Sequence, residues 1–164
     1  MVPLYNPVTG SGGGSPLAVE VVITDGAVQD LASTASWIIA ETSVGTDLAA
    51  TIPASAGEHI RVVGRFLRSG AHFLDWAALA ANGTVHTYLA SGTGSPLAEG
   101  DPALYPSTSF MFSTGDPVFT VQAAQVNNGN VTVALAHQGQ SSGRVYAYSG
   151  YPFKLRLENL DRRS

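Results

Sequence analysis

The sequence contains no cysteine and only one lysine, Lys154. The missing cysteine excludes a disulfide scaffold and a thiolate metal site, and leaves the compartment open. No Lys or Arg occurs between Arg68 and Arg144. Nucleic-acid binding needs several basic residues on one face, so the expectation is no nucleic acid. Charge of either sign is scarce. Asp, Glu, Lys and Arg make up 12% of the chain, against about 25% in an average soluble domain. Long apolar runs are missing too, because no stretch approaches the roughly 18 residues of a membrane-spanning helix. Met1-Val2-Pro3-Leu4-Tyr5-Asn6-Pro7 has no basic region followed by an apolar run, so it does not read as a signal peptide. The expectation is a soluble product made in a cytoplasm, with no membrane partner.

The chain does have apolar residues, at 45%, and a net charge of -4. Disordered chains are charge-rich and apolar-poor, so this one folds. Its 164 residues suit one domain, which buries roughly two-thirds of the surface of the unfolded chain. Interface cores are depleted in charge, so the simplest account of so few charges is a large buried interface. Ser, Thr, Asn and Gln can also wet part of the surface. Lys154, Arg156, Arg162 and Arg163 make the C-terminus locally basic. They read as a solvated tail, or alternatively as a contact for an acidic neighbour.

Residues 1–16 read as an extended arm and linker, and residues 17–164 as the folded domain. Pro3 and Pro7 stiffen the start, and Gly10-Ser11-Gly12-Gly13-Gly14-Ser15-Pro16 is a flexible linker by composition. Val2, Leu4, Tyr5 and Val8 are apolar for a solvated tail, so they either dock on a neighbouring surface or fray. From residue 17 the signal is β. The runs Val19–Thr24, Trp37–Ile39, Ile60–Arg68, His72–Ala80, Thr84–Leu89, Ser109–Phe112, Val118–Ala123, Val131–Gln138, Val145–Tyr148 and Phe153–Leu157 recur near every ten residues, with turn residues between them. Asn82-Gly83 predicts a hairpin and Asn127-Asn128-Gly129-Asn130 a second one, while residues 91–107 predict a long surface loop. About ten short antiparallel strands without a convincing helix predict an all-β sandwich or barrel. On the strand Val131–Gln138, large apolar residues alternate with Thr132, Ala134, Ala136 and Gln138. That second face is small and uncharged. It suits close contact with another subunit, or an ordinary wet outer face.

Chemistry is poorly represented. Gly139-Gln140-Ser141-Ser142-Gly143 fits the G-x-S-x-G pattern, but that pattern needs a following helix and a later histidine. A β-rich run follows, and no histidine occurs after Ser141, so the segment reads as a hairpin loop. His59, His72, His86 and His137 have no ligand-pair spacing, and His137 reads as a core or interface histidine. Asp75, Glu99, Asp101 and Asp116 show no carboxylate pair that sequence can place across a sugar ring. Trp37, Trp76, Tyr88, Tyr105 and Tyr151 offer stacking faces for a glycan, or pack the core. Asn82-Gly83-Thr84 and Asn130-Val131-Thr132 match the N-glycosylation pattern, and read more simply as turns. The expectation is no catalytic residue, no metal and no cofactor.

The arm opening Pro3-Leu4-Tyr5-Asn6-Pro7, the β texture of residues 17–160 and the closing segment Tyr151–Leu160 together resemble small virion proteins of tailed bacteriophages. In these an apolar arm precedes a jelly-roll similar to the C1q and tumour-necrosis-factor domains. The aromatic-Gly-aromatic ending common in C1q domains is missing. The resemblance implies a jelly-roll β-sandwich, a homotrimer around a threefold axis and a place on a virion. It leads to the expectation of a non-enzymatic capsid decoration protein, bound to the major capsid protein or another virion protein through its arm. The alternative is a tail-fibre or tail-tip domain that recognises a host surface glycan through the loops near 91–107 and 139–143.

Overall fold

The computed structural model describes residues 14–31, 34–42, 45–70, 73–89, 97–99, 110–114, 116–139 and 143–164. Val2, Leu4, Tyr5 and Val8, the expected attachment residues, lie outside them. The described residues form eleven strands, and these are β1 (Pro16–Leu31), β2 (Thr34–Ile39), β3 (Ala49–Pro53), β4 (His59–Gly70), β5 (Phe73–Leu79), β6 (Val85–Tyr88), β7 (Leu97–Glu99), β8 (Phe110–Thr114), β9 (Val118–Thr120), β10 (Asn130–Gly139) and β11 (Gly143–Arg163). A 3-10 turn at Ala123–Gln125 joins them. Strand β1 begins at Pro16, opposite Arg163.

All the strand pairs are antiparallel and fall into two sheets. The larger runs β1-β11-β4-β8-β7, with β9 also on β4, and the smaller runs β2-β10-β5-β6, with β3 also on β10. Early strands pair with late ones. β1 lies on β11, and β2 and β3 lie on β10, while β4 and β5 take the other sides of β11 and β10. The chain crosses between sheets at β1–β2, β3–β4, β4–β5, β6–β7, β9–β10 and β10–β11. This nested winding of two sheets is a jelly-roll sandwich, as expected.

Alternation of side chains builds the core. Along β4, Ile60, Val62 and Phe66 are buried; along β10, Val131, Val133 and Leu135; along β11, Phe153, Leu155 and Leu157. These residues join Leu74 and Trp76 of β5 in one cluster between the sheets, against which Val19, Val21 and Ile23 of β1 pack. Trp76 sits at its centre, 5.9 Å from Phe66 in an edge-to-face contact and 6.1 Å from Phe153. Gly64 leaves room for that ring. Trp76 is therefore core and offers no stacking face.

Some local readings change. The C-terminal basic segment is the end of β11, a strand paired on both sides, and is no solvated tail. Arg162 donates to Glu58 at 2.9 Å and Arg156 to Glu158 at 2.9 Å. Residues 140–142, within the expected hairpin loop, lie outside the described residues, and the strands on either side, β10 and β11, belong to different sheets. Strand β7 interrupts the loop expected over 91–107. The Asn127–Asn130 turn forms as expected, with Asn128 at φ 49° and Gly129 at φ 76° and with Asn127 and Asn130 exchanging both backbone hydrogen bonds, at 2.8 and 3.0 Å, in an antiparallel bridge that leads into β10. The Asn82-Gly83 hairpin between β5 and β6 forms as expected, with Asn82 Oδ1 accepting from the Thr84 amide at 3.1 Å and hydroxyl at 2.7 Å.

Candidate functional site

The two sheets carry very different outer faces. All eight basic residues fall on β4 and β11, adjacent strands of the six-stranded sheet. The five strands of the smaller sheet contain a single charged residue, Asp75. The scarcity of charge noted in the sequence is thus concentrated on one side of the molecule.

Register assembles the outer face of the smaller sheet row by row. Ile39, Ala136 and Asp75 form one row, Ala49, Ala134, Ala77 and Tyr88 the next. Thr51 pairs with Thr132, and Leu79 with Val85, in the row beyond. Ala77, Leu79, Ala134 and Ala136 are buried here, with Trp37, Ile39, Ala49, Val85 and Tyr88 packed around them. Trp37 and Tyr88 come from opposite edges of the sheet, and their ring centroids meet 5.1 Å apart at 44°. Small alanines on the two central strands permit this, because any longer side chain there would fill the space the rings occupy.

The four residues expected at a subunit interface therefore divide. Thr132 and Gln138 are half-buried, and the Thr132 hydroxyl lies 2.8 Å from that of Thr51. Ala134 and Ala136 are fully covered by the chain itself. They form the floor, and the surface available to a partner is made by Trp37, Ile39, Thr51, Val85 and Tyr88 around them. Sequence reasoning missed this ring of residues because Trp37 and Tyr88 are 51 positions apart. Only the β2-β10-β5-β6 order brings them together.

Asp75 is buried in the same face. Burial raises the pKa of the Tyr88 phenol, and the negative charge of Asp75 raises it further. Tyr88 thus stays neutral, keeping the exposed part of the face uncharged.

A second polar cluster closes one end of the sandwich. The Glu58 carboxylate accepts from Arg162 Nε at 2.9 Å, from Asn159 Nδ2 at 2.9 Å and from the Ser55 amide at 2.8 Å. Burial pushes its pKa up, but the hydrogen bonds and the Arg162 charge outweigh that and hold it below the ordinary value. Beside it, His59 Nδ1 lies 2.9 Å from Asp161 Oδ2. The hydroxyl of this cluster, Ser55 Oγ, accepts from Arg162 at 2.9 Å. It is tied to a guanidinium, an arrangement that anchors the β3–β4 turn to β11 and does not activate a nucleophile.

The other candidate residues scatter. His137 is buried on β10 and His86 is exposed on β6. Asp116 is exposed at φ 51° beside Arg65. His72, Asp101, Tyr105 and Ser141 lie outside the described residues, as do the side chains of Glu99 and Tyr151. Among the described residues no three His, Asp or Glu side chains gather as a metal site, and no helix is long and apolar enough to cross a membrane. In comparison with known proteins, the chain matches no family model, no curated protein and no solved structure.

Proposed function

We propose that this protein is a non-catalytic structural component of a bacteriophage virion, a trimeric capsid decoration protein that assembles with copies of itself and binds the head shell. One observation carries the assembly part of this reading. A sheet of five strands exposes a face whose only ionisable carboxyl, Asp75, is buried, while every basic residue is on the opposite sheet. Water-facing sheet surfaces ordinarily carry charge, and interface cores are depleted in it. The phage assignment rests on the resemblance of the arm and of the closing segment, and attachment to the shell is assigned to Val2, Leu4, Tyr5 and Val8.

The mass of the purified protein in solution tests the assembly part. A trimer at micromolar concentration is the expected result, and a monomer would refute it. Deleting residues 1–13 is expected to abolish capsid occupancy and leave the oligomer intact. Unchanged occupancy would remove the arm from the reading.

The Trp37–Tyr88 pair also favours a second reading, a tail-fibre or tail-tip domain that binds a host surface glycan, because neighbouring aromatic rings suit sugar stacking. Copy number per virion separates the two. Decoration calls for hundreds of copies and a tail tip for a few.

A further inference from the structure

The outer face of the six-stranded sheet has the opposite chemistry. Register sets Ala18, Glu158 and Arg61 in one row, Glu20, Arg156 and Val63 in the next, and Val22, Lys154 and Arg65 in a third. Arg61 and Arg156 share Glu158, at 3.1 and 2.9 Å. Arg65 donates to the Gly64 carbonyl at 2.8 Å and lies 3.8 Å from Asp116, and Lys154 is exposed. Four cations thus share this face with the carboxylates of Glu158, Glu20 and Asp116. Val22 and Val118, two of the three exposed large hydrophobics among the described residues, flank them at 46% and 44% exposure.

Arginine is enriched in protein-binding faces. The complementary surface occurs on the same chain. The first basic residue of the sequence is Arg61, and the sixty residues before it hold Glu20, Asp25, Asp30, Glu41, Asp47 and Glu58. Glu41 and Asp47 face each other across a β-bridge in the turn between β2 and β3, both exposed. Among the described residues neither is ion-paired.

The uncharged face also falls short of a full interface. Four strands about 4.8 Å apart, with four outward positions about 6.8 Å apart along each, cover on the order of 500 Å². A stable contact needs about 800 Å² from each partner.

We propose that two copies of this chain dock head to tail, with the Glu41/Asp47 turn of one seated on the Arg61, Arg65, Lys154 and Arg156 face of the next. The proposal rests on the self-assembly reading and names the contact that completes it. Two different patches meet, so the contact is heterologous, and such contacts close into rings when the rotation allows. A threefold ring is one such closure.

Charge reversal tests it. The variants are Arg65→Glu with Lys154→Glu, Glu41→Lys with Asp47→Lys, and one chain carrying all four changes. Solution mass against concentration is read at low and at high salt, with near-UV circular dichroism to confirm folding. Each double variant is expected to weaken association at least tenfold, and the four-fold chain to recover it. In the wild type, association should weaken as salt rises, since screening shortens from about 10 Å at 0.1 M to about 3 Å at 1 M. A wild-type protein that is monomeric throughout would refute the self-assembly reading itself. An oligomeric wild type whose folded double variants associate unchanged would overturn the docking and leave self-assembly standing. So would a four-fold chain that fails to recover. Binding of a DNA duplex that Arg65→Glu with Lys154→Glu abolishes would reassign the face to nucleic acid.

Discussion

Replacing Gly64 by alanine tests the packing that holds the two sheets at their separation. A Cβ at Gly64 would lie 2.1 Å from Cζ2 of Trp76 and 3.0 Å from both Cε2 and Cη2. Ordinary contact begins near 3.4 Å, so the ring or the strand must retreat by more than an ångström. The ring has little room to do so, because Trp76 is 1% exposed and is held between Phe66 and Phe153. Overpacking of this kind costs about 1–3 kcal/mol. Gly64 is not among the glycines at positive φ, so alanine carries no backbone strain there and stiffens the unfolded chain, worth about 0.4–1 kcal/mol in its favour. The steric term wins, leaving a loss of about 1.3 kcal/mol and a fall of roughly 3–5 °C in Tm for a chain of this length. Urea unfolding followed by tryptophan fluorescence reads the loss. Trp76→Phe removes the clashing atoms, so the double variant should be more stable than the sum of the single effects, by about 1 kcal/mol or more. A Gly64→Ala protein as stable as the wild type, or strict additivity with Trp76→Phe, would refute the account of the core.

Three further outcomes follow from other parts of the molecule. Glu58 has a lowered pKa in the folded state, so its contribution is present in full above the ordinary carboxyl value of 4.5 and is lost as the pH falls through the lowered value. Glu58→Gln should cost roughly 1–2 kcal/mol at pH 7 and much less at pH 3, and equal losses at the two pH values in urea titrations would contradict that. Gly129→Ala forces a side chain into φ 76°, and should cost about 1 kcal/mol in thermal unfolding; an unchanged Tm would show that the turn relaxes. Thr51→Lys with Thr132→Lys places two charges on the uncharged face and gives up one hydroxyl–hydroxyl contact. The fold should survive while the solution mass falls to that of a monomer, and an unchanged oligomer would move the interface elsewhere.

Much of the sandwich was legible because its strands obey a simple period. Val131, Val133 and Leu135 alternate with Thr132, Ala134 and Ala136, and Phe153, Leu155 and Leu157 with Lys154, Arg156 and Glu158. A period of two survives in sequence because side chains of a strand point alternately to its two faces. The same alternation separated the core side of β10 from its outer side. It could not say that the alanines of that outer side are covered, since the covering rings of Trp37 and Tyr88 come from strands β2 and β6. The C-terminal misreading has a similar cause. A cluster of basic residues at a chain end looks like a tail until Glu58, more than a hundred positions away, is seen to bind Arg162.

By itself the sequence determined an all-β chain of alternating strands, few charges and an alanine-lined strand face. These are local properties, fixed by residue type and spacing. Tertiary structure alone decided which strands became neighbours. It gathered the eight basic residues on β4 and β11, left the other sheet with only the buried Asp75, and brought Trp37 to Tyr88. Strand order in a jelly-roll is set by pairings between distant segments, and the two-residue repeat of a strand carries no record of which partner it will find.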